Sequence, residues 1–299
     1  TAGAAFAAAA GSTGPDDLLV VGAGTLGRRV AAQWLADHPG SRVVGATITE
    51  ASHDELRAAG IEPVTVDALT ALAPQPFRHV LFSAPPRRRS SEPGAYAAAV
   101  ANALGFWVPP GADGGRAGAS FVFTSSASVF AEDSGGTVDE GSPLSSSASA
   151  GDLLAAEEHV LQAGGTVLRY GGLYDVGIGP HAYWLKVGVV KGRPDGLINF
   201  VHYDDAAAAA ALALRAEGQQ GKVFVVADGV PVTRAEICES AVKARPFVGS
   251  AAPVFEAPPE GEYTLGGAGS GKVLDARRAR EALRWTPRHA SFPEFMAGL

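Results

Sequence analysis

Residues 17–32 read DLLVVGAGTLGRRVAA, in which a short apolar run precedes three spaced glycines and a stretch of helical periodicity. This order predicts a β-strand, a tight turn and an α-helix, the entry of a dinucleotide-binding βαβ unit. In such a unit Gly22 makes the turn, Gly24 lets the backbone approach a pyrophosphate, and Gly27 lets the helix pack closely on the strand. The N–H groups at the start of the helix then face the phosphates. A glycine turn without a ligand is the alternative, because the motif is common by chance.

Predicted strands and helices alternate through the first half of the chain. The further strands are predicted at 42–47, 63–66, 79–83, 119–124 and 166–169, and the helices at 52–59, 93–104 and 152–163. This alternation predicts an α/β protein with a doubly wound parallel sheet, the Rossmann fold. Helices at 181–190, 203–215, 234–243 and 276–283 follow with less regular spacing. We therefore expect a nucleotide-binding domain at 16–175 and a smaller C-terminal, substrate-side lobe at 176–299.

Composition and charge argue against several classes of protein. The 299 residues are 46% hydrophobic and carry a formal net charge of -7, so we expect a sizeable core and no nucleic-acid-binding surface. No apolar run is long enough to predict a membrane span. Cys238 is the single cysteine, and its place in a predicted helix favours a buried core thiol. The seven histidines lack the HxxxH and HExxH spacings, which argues against a zinc enzyme and predicts no metal site.

Seven motifs together carry a resemblance to a known family. They are GAGTLG at 22–27, VDAL at 66–69, FSAP at 82–85, FTSSASVF at 123–130, LAAEE at 154–158, LRYGGLY at 168–174 and FVHYDDA at 200–206. In this order they resemble the extended short-chain dehydrogenase/reductase family, which includes NAD(P)-dependent epimerases and dehydratases. Tyr183-Trp-Leu185 together with residues 198–205 is most similar to epimerase/dehydratase-like proteins of plant and algal plastids.

The resemblance implies which residues hold a nicotinamide dinucleotide. The implied cofactor residues are Gly22, Gly24, Thr25, Leu26, Gly27 and Arg28 at the phosphates, Asp67 and Ala68 at the adenine, and Ser83, Ala84 and Pro85 along the ribose. For Asp67 a helix N-cap is the alternative role. The family hydroxyl that steadies a substrate carbonyl or alcohol falls on Ser126. A structural turn hydroxyl is the alternative for this serine.

The end of the second predicted strand bears on the choice of cofactor. An NAD site usually has an acid there for the ribose 2′-OH, but this chain has Ala46-Thr-Ile-Thr49, and Glu50 falls late. Thr47 and Thr49 can donate hydrogen bonds to a 2′-phosphate, and Arg28 or the run Arg87–Arg89 could supply positive charge. The sequence therefore predicts NADP, with NAD less favoured.

The chain departs from the family pattern at the catalytic tyrosine and lysine. Counting back from the LAAEE motif, the tyrosine position falls on Ser149 and the lysine position on Leu153. A serine hydroxyl is too weak an acid at neutral pH, and a leucine carries no charge that would lower a neighbour's pKa. Tyr174 is our candidate for a relocated acid, with His181 and Tyr183 as alternatives. Packed or solvated side chains are the competing interpretation for all three.

These observations predict an NADP(H)-binding epimerase, dehydratase or reductase-like protein. Its substrate would be a small hydroxylated or carbonyl compound, and its acid or base would be non-standard. The alternative is a non-catalytic, nucleotide-responsive binding or assembly factor of the plastid with a protein partner. Residues 1–15 are rich in alanine and lack acids, as a disordered or processed transit segment would be. They predict a chloroplast location, in the stroma or at the thylakoid, with the cytoplasm as the alternative.

Overall fold

A seven-stranded parallel sheet organises the computed structural model, which describes residues 13–71, 76–86, 92, 94–110, 118–256 and 267–299. Its strands are β1 (Leu18–Val21), β2 (Val43–Thr47), β3 (Glu62–Thr65), β4 (His79–Phe82), β5 (Ser120–Ser126), β7 (Thr166–Tyr170) and β12 (Val223–Val226). They lie in the order β12-β7-β5-β4-β1-β2-β3. β1 lies between β4 and β2 inside the sheet and is buried along its whole length, as its unbroken apolar sequence requires. The predicted α/β class and doubly wound sheet are confirmed.

The chain forms two compact units, each built from separated segments. The first comprises Thr1–Ser125, Ala148–Leu168 and Ala207–Val223. The second comprises Ser126–Ser147, Arg169–Ala206 and Phe224–Leu299. The predicted domain boundary at 175/176 lies inside the second unit, so the units do not follow a single cut in the sequence.

Helices of the first unit fill the connections between its strands. They are α1 (Thr25–Asp37), α2 (His53–Ala58), α3 (Val66–Ala71), α4 (Ala95–Leu104) and α5 (Ala148–Gln162). The helix α7 (Tyr203–Arg215) belongs to both units, because it begins in the second and ends in the first. The buried hydroxyl of Ser125 donates to the carboxylate of Glu157 at 2.6 Å, and this bond ties α5 to β5. The predicted start of α5 at 152 is four residues late, because serines favour caps and loops in sequence analysis.

The second unit contains short strands and helices. Its strands are β6 (Ser134–Val138), β8 (Gly172–Tyr174), β9 (Val189–Lys191), β10 (Leu197–Ile198), β11 (Phe200–His202), β13 (Val232–Thr233), β14 (Val254–Glu256) and β15 (Gly271–Leu274). Its helices are α6 (Pro180–Val187), α8 (Arg234–Lys243), α9 (Arg277–Leu283) and α10 (Phe292–Ala297). Gly188 ends α6 in the left-handed conformation, with φ 73°, which is why this helix stops before its predicted end at 190.

Cys238 lies buried within α8, and burial raises the pKa of its thiol to about 11. The predicted core thiol is therefore confirmed. Among the described residues, no helix combines the length and the apolar character needed to cross a bilayer.

Candidate dinucleotide site

The turn after β1 is held in contact with the segment that follows β4. Gly22 has φ 95°, and a Cβ at this position would lie 2.3 Å from the backbone nitrogen of Ala84. The Ser83 hydroxyl donates to the carbonyl oxygen of Gly22 at 2.9 Å. A side chain at Gly27 would lie 2.5 Å from that same carbonyl oxygen and 2.8 Å from Val20. The roles predicted for Gly22 in the turn and Gly27 in helix packing are confirmed by these close approaches.

Gly24 differs from the other two glycines of the motif. It is the N-cap of α1, and a Cβ built there meets no protein atom within 4 Å. The fold therefore does not require a glycine at this position, whereas close approach of a ligand to the backbone would. Leu26 in the first turn is buried, so only its backbone could meet a phosphate, while Thr25 is half-buried. The first N–H groups of a helix lack intrahelical partners and favour an anion.

An apolar cavity of about 290 Å³ lies beside this turn, within the first unit. It is lined by residues from the ends of β1, β2 and β4 and from α3 and α4, among them Val21, Ile48, Leu69, Ala84, Pro85, Tyr96 and Asn102. Ligands of open α/β sheets bind at the carboxyl ends of the strands, and β1, β2 and β4 all end at this cavity. Its largely apolar wall with few polar groups suits a planar heteroaromatic base.

Tyr96 supports one wall of the cavity. Its hydroxyl donates to the carbonyl oxygen of Ala84 at 2.9 Å, and its ring packs edge-on against Phe82, with centroids 6.0 Å apart. Burial raises the pKa of Tyr96 above its ordinary value, so the phenol remains a hydrogen-bond donor. Sequence analysis missed this residue. A tyrosine in the alanine-rich helix after a strand end is the signal that could have identified it.

Asp67 and Ala68 lie in the first turn of α3, where Asp67 is exposed and Ala68 half-buried. The alternative role of Asp67 as the helix N-cap is wrong, because the Thr65 hydroxyl accepts the hydrogen bond from the backbone N–H of Ala68 at 3.2 Å. A carboxylate in the first turn still interacts favourably with the helix dipole. The assignment of Asp67 and Ala68 to the adenine remains a prediction.

Two of the groups expected to meet a 2′-phosphate, Arg28 and Thr47, already have partners. The Arg28 guanidinium pairs with the Glu55 carboxylate at 2.5 Å. The Thr47 hydroxyl lies 2.8 Å from the carbonyl oxygen of Thr49 and 2.9 Å from Nε2 of His53. The run Arg87–Arg89 lies outside the described residues. Glu55 thus adds negative charge beside Arg28, which opposes rather than attracts a phosphate dianion.

The two positions of the missing catalytic pair lie one helical turn apart in α5. Ser149 is exposed, and Leu153 is 8% exposed. Ser126 is half-buried at the end of β5, and its hydroxyl accepts a hydrogen bond from the backbone N–H of Ser128 at 3.1 Å. This bond caps the short 3₁₀ turn Ala127–Val129, the turn role that sequence analysis kept as the alternative. A catalytic role for Ser126 remains a prediction.

Tyr174 is fully buried in an aromatic cluster of the second unit. Its ring meets Phe200, His202, Phe292 and Phe295 edge-on at centroid distances of 5.1–5.4 Å. Burial raises the pKa of its phenol, and the charge of Asp228 adds to this rise. Contact with a substrate would therefore require these packed neighbours to move, and Tyr174 as a proton donor remains a prediction.

The two alternatives to Tyr174 lie in α6 and differ in exposure. His181 is fully buried, and its Nε2 lies 2.9 Å from the carbonyl oxygen of Val176. Burial lowers its pKa, so its imidazole is neutral at pH 7. Tyr183 is 63% exposed. Of the two, only Tyr183 presents its side chain to solvent.

Asp228 is a buried acid that sequence analysis did not single out. It is 4% exposed, and its Oδ1 accepts a hydrogen bond from the backbone N–H of Val230 at 2.9 Å. Its Oδ2 has no hydrogen-bond partner among the described residues. Burial raises the pKa of this carboxyl to about 7, and the charge of Asp205 contributes. Ionisation of such a buried carboxyl, which occurs as the pH rises above its pKa, lowers the free energy of unfolding of the protein.

We expect Asp228→Asn to stabilise the protein at pH 8. The carboxyl ionises near pH 4 when the chain is unfolded and near pH 7 when it is folded, so the unfolded state binds fewer protons between these values. Stability therefore falls as the pH rises from about 4 to about 7, by on the order of 2–4 kcal/mol. Urea denaturation at pH 5 and pH 8 measures this. Asp54→Asn, at an exposed position, is the control, and an equal effect of Asp228→Asn at both pH values would contradict the argument.

No family model matches the chain, and no curated protein matches it. Solved structures do match over nearly its full length. MoeE5 in complex with UDP-glucose and NAD is 19% identical with a TM-score of 0.70, covering 94% of this chain and 96% of its own. The UDP-glucuronic acid 4-epimerase of Bacillus cereus in complex with NAD is 17% identical with a TM-score of 0.71 and the same coverage. A conserved protein from Silicibacter pomeroyi is 20% identical with a TM-score of 0.69, covering 95% and 97%. These similarities establish the fold that the dinucleotide-binding motif predicts.

The predicted preference for NADP is wrong. Two of the similar solved structures, those of MoeE5 and of the Bacillus cereus epimerase, hold NAD. The ion pair between Arg28 and Glu55 gives a physical reason, since one of the two sources of positive charge expected for a 2′-phosphate is already paired with a carboxylate. Sequence analysis treated Arg28 as available because its partner lies in a different helix.

Proposed function

We propose that the chain is an NAD-binding protein of the epimerase/dehydratase type, acting on a small hydroxylated or carbonyl compound. The observation that carries this proposal is Gly24, the one glycine of the motif whose Cβ would meet no protein atom. The pyrophosphate would lie against Gly24 and the first turn of α1, and the adenine in the cavity beside Ile48 and Tyr96. When bound, NAD supplies a reversible hydride acceptor.

The residues at the end of β2 support NAD over a phosphorylated cofactor. Glu55 neutralises Arg28, and Glu50 lies in the exposed turn that follows Thr47. A 2′-phosphate would bring two negative charges to this acidic edge, whereas a 2′-OH brings none and can donate a hydrogen bond. We expect the Glu55 carboxylate to be the main source of discrimination.

The proton-transfer step would use a non-standard group. Ser149 and Leu153 supply neither an acid of suitable pKa nor a charge that tunes one. Ser126 retains the hydroxyl that would orient a substrate oxygen. The same two positions favour the second candidate function, a nucleotide-responsive binding factor of the plastid in which NAD changes the affinity for a protein partner. That factor would bind NAD at the same site but would not turn it over.

A titration of the two dinucleotides tests the choice of cofactor. We expect NAD to bind about tenfold or more tightly than NADP in isothermal titration calorimetry at low salt, because of the carboxylate beside Arg28. Glu55→Gln should narrow this difference by improving NADP binding while leaving NAD binding nearly unchanged. Glu158→Gln, at an exposed position in α5, is the matched control. Tighter binding of NADP by the unmodified protein would contradict the proposal.

A further inference from the structure

Two imidazoles and a carboxylate converge in the second unit, and none of the three residues belongs to the set assigned to the dinucleotide. His202 ends β11, Asp204 lies in the first turn of α7, and His289 lies in the segment before α10. One ligand atom from each of the three side chains lies within 4.8 Å of the others. The rings of His202 and His289 are in contact, with centroids 3.9 Å apart.

His202 is oriented so that a lone pair faces Asp204. Its Nδ1 accepts a hydrogen bond from the backbone N–H of Asp204 at 3.2 Å and lies 3.7 Å from the carboxylate Oδ2 of that residue. Its Nε2 lies 3.4 Å from Oδ1 of Asp175. The accepting role of Nδ1 puts the proton on Nε2. The nearby Asp175 carboxylate favours this tautomer electrostatically, although the contact does not have the geometry of a hydrogen bond.

His289 is held in place by a separate buried acid. The Asp205 carboxylate is 1% exposed and accepts hydrogen bonds from the backbone N–H groups of Arg288 at 2.7 Å and His289 at 2.9 Å. The Trp285 indole donates to the carbonyl oxygen of Asp205 at 3.0 Å. These bonds fix the backbone that carries the His289 ring. Binding of a ligand to this ring therefore costs little further conformational entropy.

We propose that His202, Asp204 and His289 bind a divalent transition metal ion, with Zn²⁺ the best match. Two imidazoles and one carboxylate form a three-ligand set suited to Zn²⁺, leaving water for a fourth position. The Asp204 side chain is 49% exposed and can move toward the rings, as the 4.8 Å spread of the ligand atoms requires. Binding at Nδ1 displaces the hydrogen bond that this nitrogen accepts from the Asp204 N–H. The ion would link the start of α7 to the segment before α10.

Calorimetric titration of tag-free, EDTA-treated protein with Zn²⁺ tests this site. We expect one Zn²⁺ per chain, with affinity reduced at least about tenfold by His289→Gln and by Asp204→Asn. Asp175→Asn should reduce the affinity about tenfold as well, through the orientation of His202. The exposed His159 in α5 provides the control, and His159→Gln should leave binding unchanged.

Melting temperatures test the site without replacing His202, the buried histidine of the cluster. Replacement of this buried side chain could prevent folding. Zn²⁺ should raise the melting temperature of the unmodified protein and of His159→Gln, and have no effect on His289→Gln. Co²⁺ in place of Zn²⁺ should give the visible absorption of a low-symmetry site in the unmodified protein only. Absence of stoichiometric Zn²⁺ binding, or binding that survives both His289→Gln and Asp204→Asn, would overturn the proposal.

Discussion

Gly24→Asp is expected to abolish NAD binding without unfolding the protein. A side chain at this position meets no protein atom within 4 Å, so the fold should tolerate it. Its carboxylate would occupy the approach of the pyrophosphate at the N-terminus of α1 and repel it, and we expect a loss of about 100-fold or more in affinity. The rise in NADH fluorescence on binding measures this, and the melting temperature reports the fold.

Two further variants distinguish an effect on NAD binding from an effect on folding. Gly24→Ala adds only a methyl group and should weaken NAD binding less than the aspartate does. Gly22→Ala should instead destabilise the protein, because Gly22 has φ 95° and its Cβ would lie 2.3 Å from the Ala84 nitrogen. Unchanged NAD affinity in Gly24→Asp would show that the glycine turn holds no pyrophosphate.

Standard assays for alcohol dehydrogenases and sugar-nucleotide epimerases are expected to show no turnover. The proton donor that such chemistry requires is absent at Ser149, and its electrostatic partner is absent at Leu153. General acid–base catalysis typically contributes about 10²–10⁴-fold, so its loss leaves only marginal rates even with NAD and substrate well placed. NADH absorbance with a carbonyl substrate, and product analysis with UDP-glucuronic acid, measure this.

A double substitution tests the cause of this inactivity. Ser149→Tyr with Leu153→Lys restores the missing pair, and Ser149→Tyr with Leu153→Met is the matched control without the charge. Leu153 is 8% exposed, so folding of the lysine variant must be checked by its melting temperature. Rapid turnover by the unmodified protein that Tyr174→Phe leaves unchanged would contradict our view of both the missing acid and its candidate replacement.

The sequence predicts the sheet and the glycine turn well because both depend on local patterns. An apolar run followed by Gly22 and Gly27 can form only a few backbone arrangements, and the structure has the expected one. The end of α6 was misplaced because one glycine, Gly188, adopts the left-handed conformation, which composition alone does not reveal. The alternative role of Asp67 as an N-cap is wrong because the helix already begins at Val66, which makes Thr65 the cap.

Contacts between distant residues explain most of what the sequence did not predict about the site. The position of Arg28 beside the glycine motif indicates a phosphate contact, but its ion pair with Glu55, in another helix, does not follow from local sequence. Asp228 and Tyr96 lie in no motif, and their significance comes from burial and from a hydrogen bond across the cavity wall. His202 and His289 are far apart in sequence, so spacing rules for ligands on one helix could not bring them together.

A crystal structure of the protein grown with NAD tests the central claim most directly. We predict the pyrophosphate against Gly24 and the first turn of α1, with the adenine in the cavity lined by Ile48, Ala84 and Tyr96. The ribose 2′-OH should lie toward the end of β2, on the side of Glu55. Density for NAD at another place on the protein, or none at saturating NAD with this turn open to solvent, would contradict the account.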